Sequence, residues 1–375
     1  MVILFVSGYL GLGGVQRMIT LLGEELSKSY EIYYYSVKKS DSFWDIKNKN
    51  HIFYGPSENI IDRLLYKTYR HMCVIAKKEY DINLIQSRFI GDLSSRINQN
   101  KIDTLVLTSA FQFAAIPILK RKYPSLKIIS WIHETYQSLE NITYYYRDYF
   151  NLGIKESTQV VCLVKENYDY FSKLNRHCSI IPNSISLDSH GQISDLQSPN
   201  ISFTSRISFA FGIKGLDVLV NVSKLLLPKY KITFADGGSS DDELEFQRMI
   251  NQNKVSNRIM MQGTLKGKDL LTHYLNSSVF ISTSRSESFS LVILEAMSVG
   301  LPIIAFSTSG ARYLLGNGKY GILVNQGNVE EFAQQCNRLM TNQILLMHYQ
   351  RLSLQRAKDF ELAKSMEKWN SLLGK

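Results

Sequence analysis

The most informative stretch of the chain reads Ser282-Thr-Ser-Arg-Ser-Glu-Ser-Phe-Ser-Leu-Val-Ile-Leu-Glu-Ala-Met-Ser-Val-Gly-Leu-Pro302. Apolar residues predict a strand that ends at Thr283, and the small polar residues after it predict a turn. The apolar spacing that follows predicts a helix that starts near Ser288 and ends at Ser298. A buried strand, a tight turn and a helix form the repeating unit of α/β folds, so this stretch predicts a parallel sheet.

Two acids stand in this stretch, Glu287 in the turn and Glu295 eight residues later. At ~1.5 Å per helical residue they would lie about 12 Å apart, comparable to a sugar and a ribose joined through a diphosphate. Carboxylates accept hydrogen bonds from sugar hydroxyls, and the free N–H groups of a first helical turn bind anions. The alternative is a helix N-terminal charge at Glu287 and an exposed face residue at Glu295. Apolar neighbours around Glu295 make an unpaired carboxylate costly there and favour a binding role.

Strand-like and helical segments alternate in the same way on both sides of this stretch. The strands are predicted at Val2–Ser7, Glu31–Val37, Thr104–Ser109, Lys127–Ile132, Val160–Val164, Cys178–Pro182, Ile201–Ser205, Lys231–Ala235, Ile259–Gln262, Val279–Thr283 and Pro302–Ala305. The alternation breaks at a polar linker over Asn183–Asn200. We therefore predict two doubly wound domains, 1–185 and 186–375, with ligands in a cleft between them. Whether the last helix, about 355–375, packs back on the N-terminal domain stays open.

Composition fits two ordinary globular domains: 375 residues, 45% hydrophobic and 20% charged. No apolar run approaches the roughly 18 residues of a membrane-spanning helix. The segment Met1–Val6 has no basic flank and is interpreted as a first strand rather than a secretory signal, which predicts a cytoplasmic protein. Cys73, Cys162, Cys178 and Cys336 are widely spaced along the chain and are expected to be reduced core thiols.

The formal net charge is +10, and residues 60–127 carry twelve Lys or Arg against five Asp or Glu. Within them, Asp62–His71 mixes cations with Leu and Tyr, and Lys120-Arg-Lys122 forms a tight cluster. A basic, aromatic-bearing face suits an anionic membrane surface, where each cation contributes about 1 kcal/mol. A solvated helix face that keeps the protein soluble explains the charge equally well. Nucleic acid is not expected as a partner because no nucleic-acid-binding motif accompanies the charge.

The spacing Glu287-x7-Glu295 followed by Ala-Met-Ser-Val-Gly-Leu-Pro-Ile-Ile-Ala resembles the E-x7-E region of retaining glycosyltransferases of family 4, which have the GT-B fold. Three other segments resemble that family's motifs: Gly13-Gly14-Val-Gln-Arg17, Ile181-Pro-Asn-Ser-Ile185, and Arg206 with Lys214-Gly-Leu-Asp-Val-Leu219. The similarity is strongest from Ile201 to Val324 and weakest from Tyr30 to Lys127. It implies an α/β protein of GT-B type, with two Rossmann-like domains facing across a cleft.

The resemblance implies roles for individual residues. Arg206 and Lys214 would clamp the diphosphate of a nucleotide-sugar donor, Glu287 would contact the transferred hexose, and Glu295 would hold the ribose. Further donor contacts would come from Gly13, Gly14, Ser288, Phe289, Ser290 and Leu291. His133 would lie beside the sugar, although a structural histidine is an equal alternative. A UDP-sugar is expected, without excluding GDP or ADP, and no metal or other cofactor is expected because the chain has no Asp-x-Asp.

The chain departs from the family pattern at three places. Ser205 replaces a glycine, Phe209-Ala-Phe211 lengthens the segment between Arg206 and Lys214, and Ala235-Asp-Gly-Gly238 lacks a first glycine. These departures keep open a second hypothesis, a non-catalytic subunit that stabilises an active partner. A nicotinamide enzyme is rejected because Gln16 replaces the third glycine of the dinucleotide fingerprint. The acceptor is expected to be a glycan, a lipid-linked saccharide or a protein, at the cytoplasmic face of the membrane if the basic face binds lipid.

Overall fold

The computed structural model describes residues 1–40, 44, 46–47, 51–57, 60–209 and 212–374. The chain divides into two compact units. Met1–Pro182 and Trp369–Lys375 form the first unit, and Asn183–Lys368 form the second.

The first unit is built on a seven-stranded parallel sheet in the order β3-β2-β1-β4-β5-β6-β7. Its strands are β1 (Val2–Ser7), β2 (Glu31–Ser36), β3 (Ile52–Tyr54), β4 (Thr104–Leu107), β5 (Lys127–Ile132), β6 (Gln159–Cys162) and β7 (Cys178–Ile180). Its helices are α1 (Gly14–Leu26), α2 (Ile60–Ile75), α3 (Ile82–Gln99), α4 (Ala110–Phe113), α5 (Ile116–Lys122), α6 (Tyr136–Ile142), α7 (Arg147–Glu156) and α8 (Lys165–Phe171).

The second unit is built on a six-stranded parallel sheet in the order β10-β9-β8-β11-β12-β13. Its strands are β8 (Asn200–Thr204), β9 (Lys231–Ala235), β10 (Ile259–Met261), β11 (Val279–Ser282), β12 (Ile303–Phe306) and β13 (Ile322–Val324). Its helices are α9 (Leu216–Leu225), α10 (Ser240–Gln252), α11 (Gly267–Leu275), α12 (Leu291–Ser298), α13 (Ser309–Leu314), α14 (Val329–Met340) and α15 (Gln343–Ala357). A 3-10 turn, Lys358–Phe360, then leads to α16 (Leu362–Leu373).

Both sheets have the strand order of a Rossmann domain, because the first strand of each lies beside the fourth. The central strands are continuous apolar runs, and every residue of β4, β11 and β12 is buried, as expected for parallel strands covered by helices on both faces. The predicted class, α/β with two Rossmann-like doubly wound domains, is confirmed. In such sheets, side chains that follow the first and fourth strands meet at one edge, which in the second unit is the edge above β8 and β11.

The helix of the E-x7-E stretch begins later than predicted, at Leu291 instead of Ser288. The Glu287 carbonyl accepts its hydrogen bond from the N–H of Gly310 at 2.9 Å, so it is taken by another segment of the second unit. Ser290, the N-cap residue, is extended. The estimate of about 12 Å between the two acids assumed a helix over the whole spacing and therefore does not apply.

Candidate active site

The strand order of the second unit brings Lys214 and Glu287 together. Lys214 lies between β8 and α9, and Glu287 lies between the neighbouring strand β11 and α12. Lys214 Nζ donates a hydrogen bond to Glu287 Oε1 at 2.6 Å, and Ser284 Oγ donates to the same oxygen at 3.2 Å. The two side chains are 26% and 18% exposed. A cation and a carboxylate thus stand, partly accessible, where ligands bind in this type of sheet.

The loop that carries Lys214 is fixed to the end of β11 through its backbone. Thr283 Oγ1 donates to the carbonyls of Lys214 at 3.2 Å and Gly215 at 2.9 Å. Gly215 is left-handed, with φ of 61°, and a Cβ there would lie 2.1 Å from the Thr283 carbonyl oxygen. Only glycine satisfies both conditions, so the glycine after the lysine has a steric explanation.

Arg285 fastens the same loop from the other side. Its backbone N–H donates to the Ile213 carbonyl at 2.7 Å, and its Nη1 donates to the Gly212 carbonyl at 2.8 Å. Its guanidinium also binds both carboxylate oxygens of Asp217, at 2.8 and 2.6 Å. Hydrogen bonding by Arg285 holds the pKa of Asp217 below its usual range. Sequence reasoning gave no role to Arg285, although it lies inside the E-x7-E stretch.

Glu295 is buried, with 1% of its surface exposed, so the alternative of an exposed helix-face residue is wrong. Its carboxylate accepts hydrogen bonds from Ser186 Oγ at 3.1 Å and from Tyr274 OH at 3.0 Å. The cost of burying a carboxylate is therefore offset by two hydroxyl donors. A carboxylate can accept several hydrogen bonds, so the group has the chemistry to bind ligand hydroxyls. Neither hydroxyl partner was identified from the sequence.

Arg206 is exposed and follows β8, beside the turn that follows β9. The Ile207 N–H donates to the Gly237 carbonyl at 3.0 Å, which continues the pairing of the two strands into these turns. Asp236 in the second turn has a positive φ of 96° and accepts a hydrogen bond from the Gly237 N–H at 2.8 Å.

The pKa of Asp236 depends on charged residues from several segments of the second unit. Burial raises its pKa, the Gly237 hydrogen bond lowers it, and the charges of Arg206, Glu295 and Lys214 all act on it. Asp236 was not predicted from the sequence, in which this turn was distinguished only by its missing glycine. Its position directly after a strand is the signal that could have identified it. Of the segment Phe209-Ala-Phe211, Ala210 and Phe211 lie outside the described residues.

The residues at the start of α12 have different environments. Phe289 is buried against the rings of Tyr313 and Phe360, with centroids 6.3 and 5.9 Å away, and anchors the turn in the core. Leu291 is buried as the first residue of α12. Ser290 is 2% exposed, and its hydroxyl has no hydrogen-bond partner among the described residues. A buried hydroxyl without a partner is costly, so Ser290 is suited to bind a ligand oxygen.

Gly310 explains how closely this turn is packed. A Cβ at Gly310 would lie 2.9 Å from the Phe289 nitrogen and 3.0 Å from the Ser288 carbonyl carbon. Those contacts are shorter than a Cβ tolerates, so the backbone of Ser288 and Phe289 lies directly on the start of α13. The backbone of Ser288 and Phe289, two residues predicted to contact the donor, is therefore held in a fixed position.

Gly13, Gly14 and His133 belong to the first unit. Gly13 is the extended N-cap residue of α1 and Gly14 is its first residue. His133 follows β5 and is 7% exposed, with its ring 4.4 Å from that of Trp131. Burial lowers the pKa of His133 to about 3, so the imidazole is neutral at neutral pH. The next residue, Glu134, has a buried carboxyl whose pKa burial raises to about 7.

The Lys120-Arg-Lys122 cluster is not three equivalent surface cations. Lys120 Nζ donates to the Leu126 carbonyl at 2.9 Å and to Thr158 Oγ1 at 3.3 Å, and burial lowers its pKa. Only Arg121 and Lys122 are exposed. Lys120 holds two segments of the first unit together, so its replacement would perturb the fold as well as the charge.

Other predictions concern metals, thiols and membrane spans. Within the described ranges, His, Cys, Asp and Glu side chains form no group of three or more able to hold a metal ion. The four cysteines are free, and two of them, Cys162 and Cys336, are buried. None of the helices in the described part of the chain combines the length and apolar character that crossing a bilayer needs.

Comparison with known proteins adds to this geometry. Residues 196–356 match the family described as "Glycosyl transferases group 1". A Haemophilus influenzae protein, "Uncharacterized glycosyltransferase", is 23% identical over 372 residues, covering 96% of each chain. A sucrose-phosphate synthase from Thermosynechococcus elongatus has a TM-score of 0.79 at 15% identity, covering 99% of this chain and 98% of that chain. HepE of Anabaena, solved in complex with UDP, has a TM-score of 0.77 at 16% identity, covering 100% and 99%.

Proposed function

We propose that this chain, whose residues 196–356 match the glycosyl transferases group 1 family, is a glycosyltransferase of GT-B type that moves a hexosyl group from a nucleotide sugar to an acceptor with retention of configuration. The observation that carries the proposal is the 2.6 Å pair of Lys214 and Glu287 at the carboxyl ends of β8 and β11. That edge is where doubly wound sheets bind nucleotides. The E-x7-E resemblance supports retention and membership of family 4.

In the proposed donor complex, Arg206 and Lys214 bind the diphosphate. A leaving nucleoside diphosphate gains negative charge in the transition state, and fixed cations stabilise that charge. In that complex the ion pair between Lys214 and Glu287 is replaced by contacts to the donor. The Lys214 ammonium binds phosphate oxygens, and the Glu287 carboxylate accepts hydrogen bonds from hydroxyls of the sugar. Because both side chains are partly exposed, this exchange needs no opening of the core.

The remaining donor contacts follow from burial and hydrogen-bonding capacity. The Glu295 carboxylate accepts hydrogen bonds from the ribose hydroxyls, and Ser290 supplies a hydroxyl that has no partner among the described residues. The amides of Ser288, Phe289 and Leu291 line the same turn. Gly13, Gly14 and His133 belong to the first unit, and the donor contacts that the family resemblance implies for them stay predictions; the His133 imidazole is neutral at neutral pH.

We further propose a UDP-sugar donor, a mechanism without metal, and an acceptor among glycans, lipid-linked saccharides and proteins. HepE binds UDP and UDP-glucose, which supports uridine over guanosine or adenosine. Synthesis of a surface glycan at the cytoplasmic face of the membrane would account for the basic first unit. A non-catalytic subunit is the second candidate, favoured by the missing glycine before Asp236.

A thermal-shift titration with UDP-, GDP- and ADP-sugars in EDTA tests the donor site. A ligand at 100 times its Kd adds about 2.7 kcal/mol of stability. We expect a shift with UDP-sugars in the wild type and no shift in Lys214→Gln. Lys231→Gln, an exposed lysine at the start of β9, is the matched control and should keep the shift.

Turnover distinguishes the two candidate functions. Release of nucleoside diphosphate from the sugar that gives the shift, with an α-linked product from an α-linked donor, supports the retaining transferase. Binding without turnover across a panel of acceptors, or no shift with any nucleotide sugar, favours the non-catalytic subunit. A shift that needs added Mg²⁺ or Mn²⁺ contradicts the metal-independent mechanism.

A further inference from the structure

Helix α2 of the first unit carries large apolar side chains that point into solvent. Five of them define what we call the α2 face: Ile60, Leu64, Leu65, Met72 and Ile75, which are 83%, 64%, 61%, 64% and 71% exposed. Scattered apolar residues are ordinary on a protein surface, but contiguous exposed apolar patches mark interaction sites. The α2 face therefore needs an explanation.

The five residues share one side of the helix, where two exposed polar residues, Thr68 and His71, lie among them. The Thr68 hydroxyl donates a hydrogen bond to the Leu64 carbonyl at 2.9 Å. At 3.6 residues per turn, the α2 face covers an arc of roughly 140°. The opposite side is formed by Tyr66, Tyr69 and Cys73, which are partly buried. Tyr69 OH accepts a hydrogen bond from the Asp81 N–H at 3.0 Å and so ties that side to the start of α3. The helix is thus fixed by one side and presents its apolar side outward.

Cations lie along one edge of the α2 face. Arg63, Lys67 and Arg70 are exposed and occupy the arc between the α2 face and the partly buried side; we call them the α2 basic flank. Lys77 and Lys78 continue the positive charge beyond the end of the helix. An apolar side bordered by Lys and Arg is the pattern of a helix that lies in the plane of a membrane interface.

The charge and length of α2 indicate what kind of surface binds to the α2 face. The basic flank complements a surface of negative charge, and apolar burial requires that the same surface accept hydrocarbon. At ~1.5 Å per residue, the sixteen residues of α2 extend about 24 Å, which suits a helix lying flat. An anionic phospholipid surface meets both conditions, whereas the α2 face of a second copy would bring the same bordering cations and no complementary negative charge.

We infer that α2 attaches the chain to anionic phospholipid, with the α2 face in the boundary between headgroups and acyl chains and the α2 basic flank on the lipid phosphates. The inference rests on the part of the proposed function that places the acceptor at a membrane surface. It moves the attachment from Lys120-Arg-Lys122, where Lys120 has a structural role, to a helix whose apolar side has no such role.

Co-sedimentation with vesicles tests the inference. The probes are phosphatidylglycerol–phosphatidylcholine vesicles and pure phosphatidylcholine vesicles, with the full chain. We expect binding to the anionic vesicles only. The variant L64S/L65S/M72S/I75S should bind at least about tenfold more weakly, because each 1.4 kcal/mol of lost apolar burial is a factor of ten. The variant R63S/K67S/R70S should lose both the lipid selectivity and the dependence on salt concentration.

The matched control is I344S/M347S on α15, where equally apolar side chains are 83% and 53% exposed in the second unit. It should bind vesicles like the wild type. The inference is overturned if the wild type does not bind anionic vesicles, or if the α2-face variant binds as well as the control. It is also overturned if the wild type is a dimer that the α2-face variant converts to a monomer. The UDP-sugar thermal shift, measured on the same variants, should be unchanged and reports separately on the donor site.

Discussion

Glu295 is a buried acid of the second unit, and burying its carboxylate costs free energy unless hydrogen bonds compensate for it. Ser186 and Tyr274 donate hydroxyl hydrogen bonds to different oxygens of this carboxylate. The ring of Tyr274 is itself fully buried, so this hydroxyl cannot turn to water if its acceptor is removed. A structural role and the proposed donor-binding role would therefore coincide in one residue, and loss of both stability and donor binding on mutation of Glu295 would not separate them.

Tyr274→Phe separates the two roles. It removes one donor but keeps the carboxylate, so we expect a loss of about 1–3 kcal/mol in the free energy of unfolding, measured with urea, and an unchanged UDP-sugar shift. Glu295→Ala leaves two hydroxyls without an acceptor and should lose both stability and the shift. If Glu295→Ala keeps the shift, Glu295 has only the structural role.

The neighbouring residues His133 and Glu134 have opposite effects on how stability depends on pH. Burial lowers the pKa of His133 from 6.5 to about 3, so below pH 6.5 the unfolded chain takes up a proton that the folded chain excludes. Stability therefore falls as the pH drops from about 6.5 to 3. Burial raises the pKa of Glu134 from 4.5 to about 7, so the folded chain holds a proton that the unfolded chain loses. Stability from this group falls as the pH rises from about 4.5 through 7.

Single substitutions should isolate the two effects. His133→Gln is expected to flatten the acid side of the stability profile, by up to about 1.4 kcal/mol per pH unit between pH 6.5 and 3. Glu134→Gln should flatten the side between pH 4.5 and 7. Urea unfolding at intervals of half a pH unit, on both variants and the wild type, measures this. Parallel profiles for His133→Gln and the wild type would show that the imidazole is protonated equally in both states.

Among the elements of the fold, the turn before α9 is the one that fixes the position of Lys214. Gly215→Ala adds a left-handed alanine and a Cβ 2.1 Å from the Thr283 carbonyl oxygen. Gly263→Ala is the matched control, since Gly263 has φ of 72° and nothing within 4 Å of its Cβ position. The control should cost about 1–2 kcal/mol for the backbone conformation. We expect Gly215→Ala to cost more in urea unfolding and also to weaken the UDP-sugar shift. Equal losses would mean that the turn moves away from Thr283 without cost.

Elements buried on both faces were predicted well from sequence, and elements set by distant contacts were not. Lys231–Ala235 was predicted with its observed bounds, because an apolar run between turns identifies a central strand. The strands Ile52–Tyr54 and Ile322–Val324 were missed, and each is only three residues long, which is too short to show a clear periodicity. The equally short edge strands Cys178–Ile180 and Ile259–Met261 were predicted, so length and edge position alone do not explain the difference. The late start of α12 is accompanied by a hydrogen bond from the Gly310 N–H to the Glu287 carbonyl, and the sequence of α12 does not predict that hydrogen bond.

For the candidate site, the sequence indicated individual residues but not the contacts between distant segments. Lys214 was identified from its resemblance to a family motif and Glu287 from the E-x7-E stretch, and strand order brings the two side chains into contact. The partners of Glu295 were missed, since Ser186 and Tyr274 come from segments far from α12 in sequence. Contacts of that kind depend on how helices pack on the sheet, which neither motif nor spacing encodes.

At the scale of the whole molecule, the last residues of the chain belong to the first unit, together with the N-terminal segment. Trp369–Lys375 belongs to the first unit, and Trp369 is 1% exposed, with its ring edge-on to that of Trp131 at 5.0 Å. Lys127 Nζ donates to the Leu373 carbonyl at 3.3 Å. Both partners, Trp131 and Lys127, lie on β5, the strand that leads into His133. The last helix thus supports the part of the first unit where the sugar contact is proposed.

Trp369→Ala should therefore weaken the first unit and leave the second intact. Large-to-small substitution of a buried aromatic residue costs about 3–5 kcal/mol. Hydrogen exchange measured by mass spectrometry can assign that loss: amides of β5 (Lys127–Ile132) should exchange faster, while those of β11 (Val279–Ser282) should keep their protection. Lys368→Ala, at the exposed neighbouring position, is the control and should change neither. Equal loss of protection in β11 would show that the two units unfold as one, and then the contribution of Trp369 would extend to the whole chain.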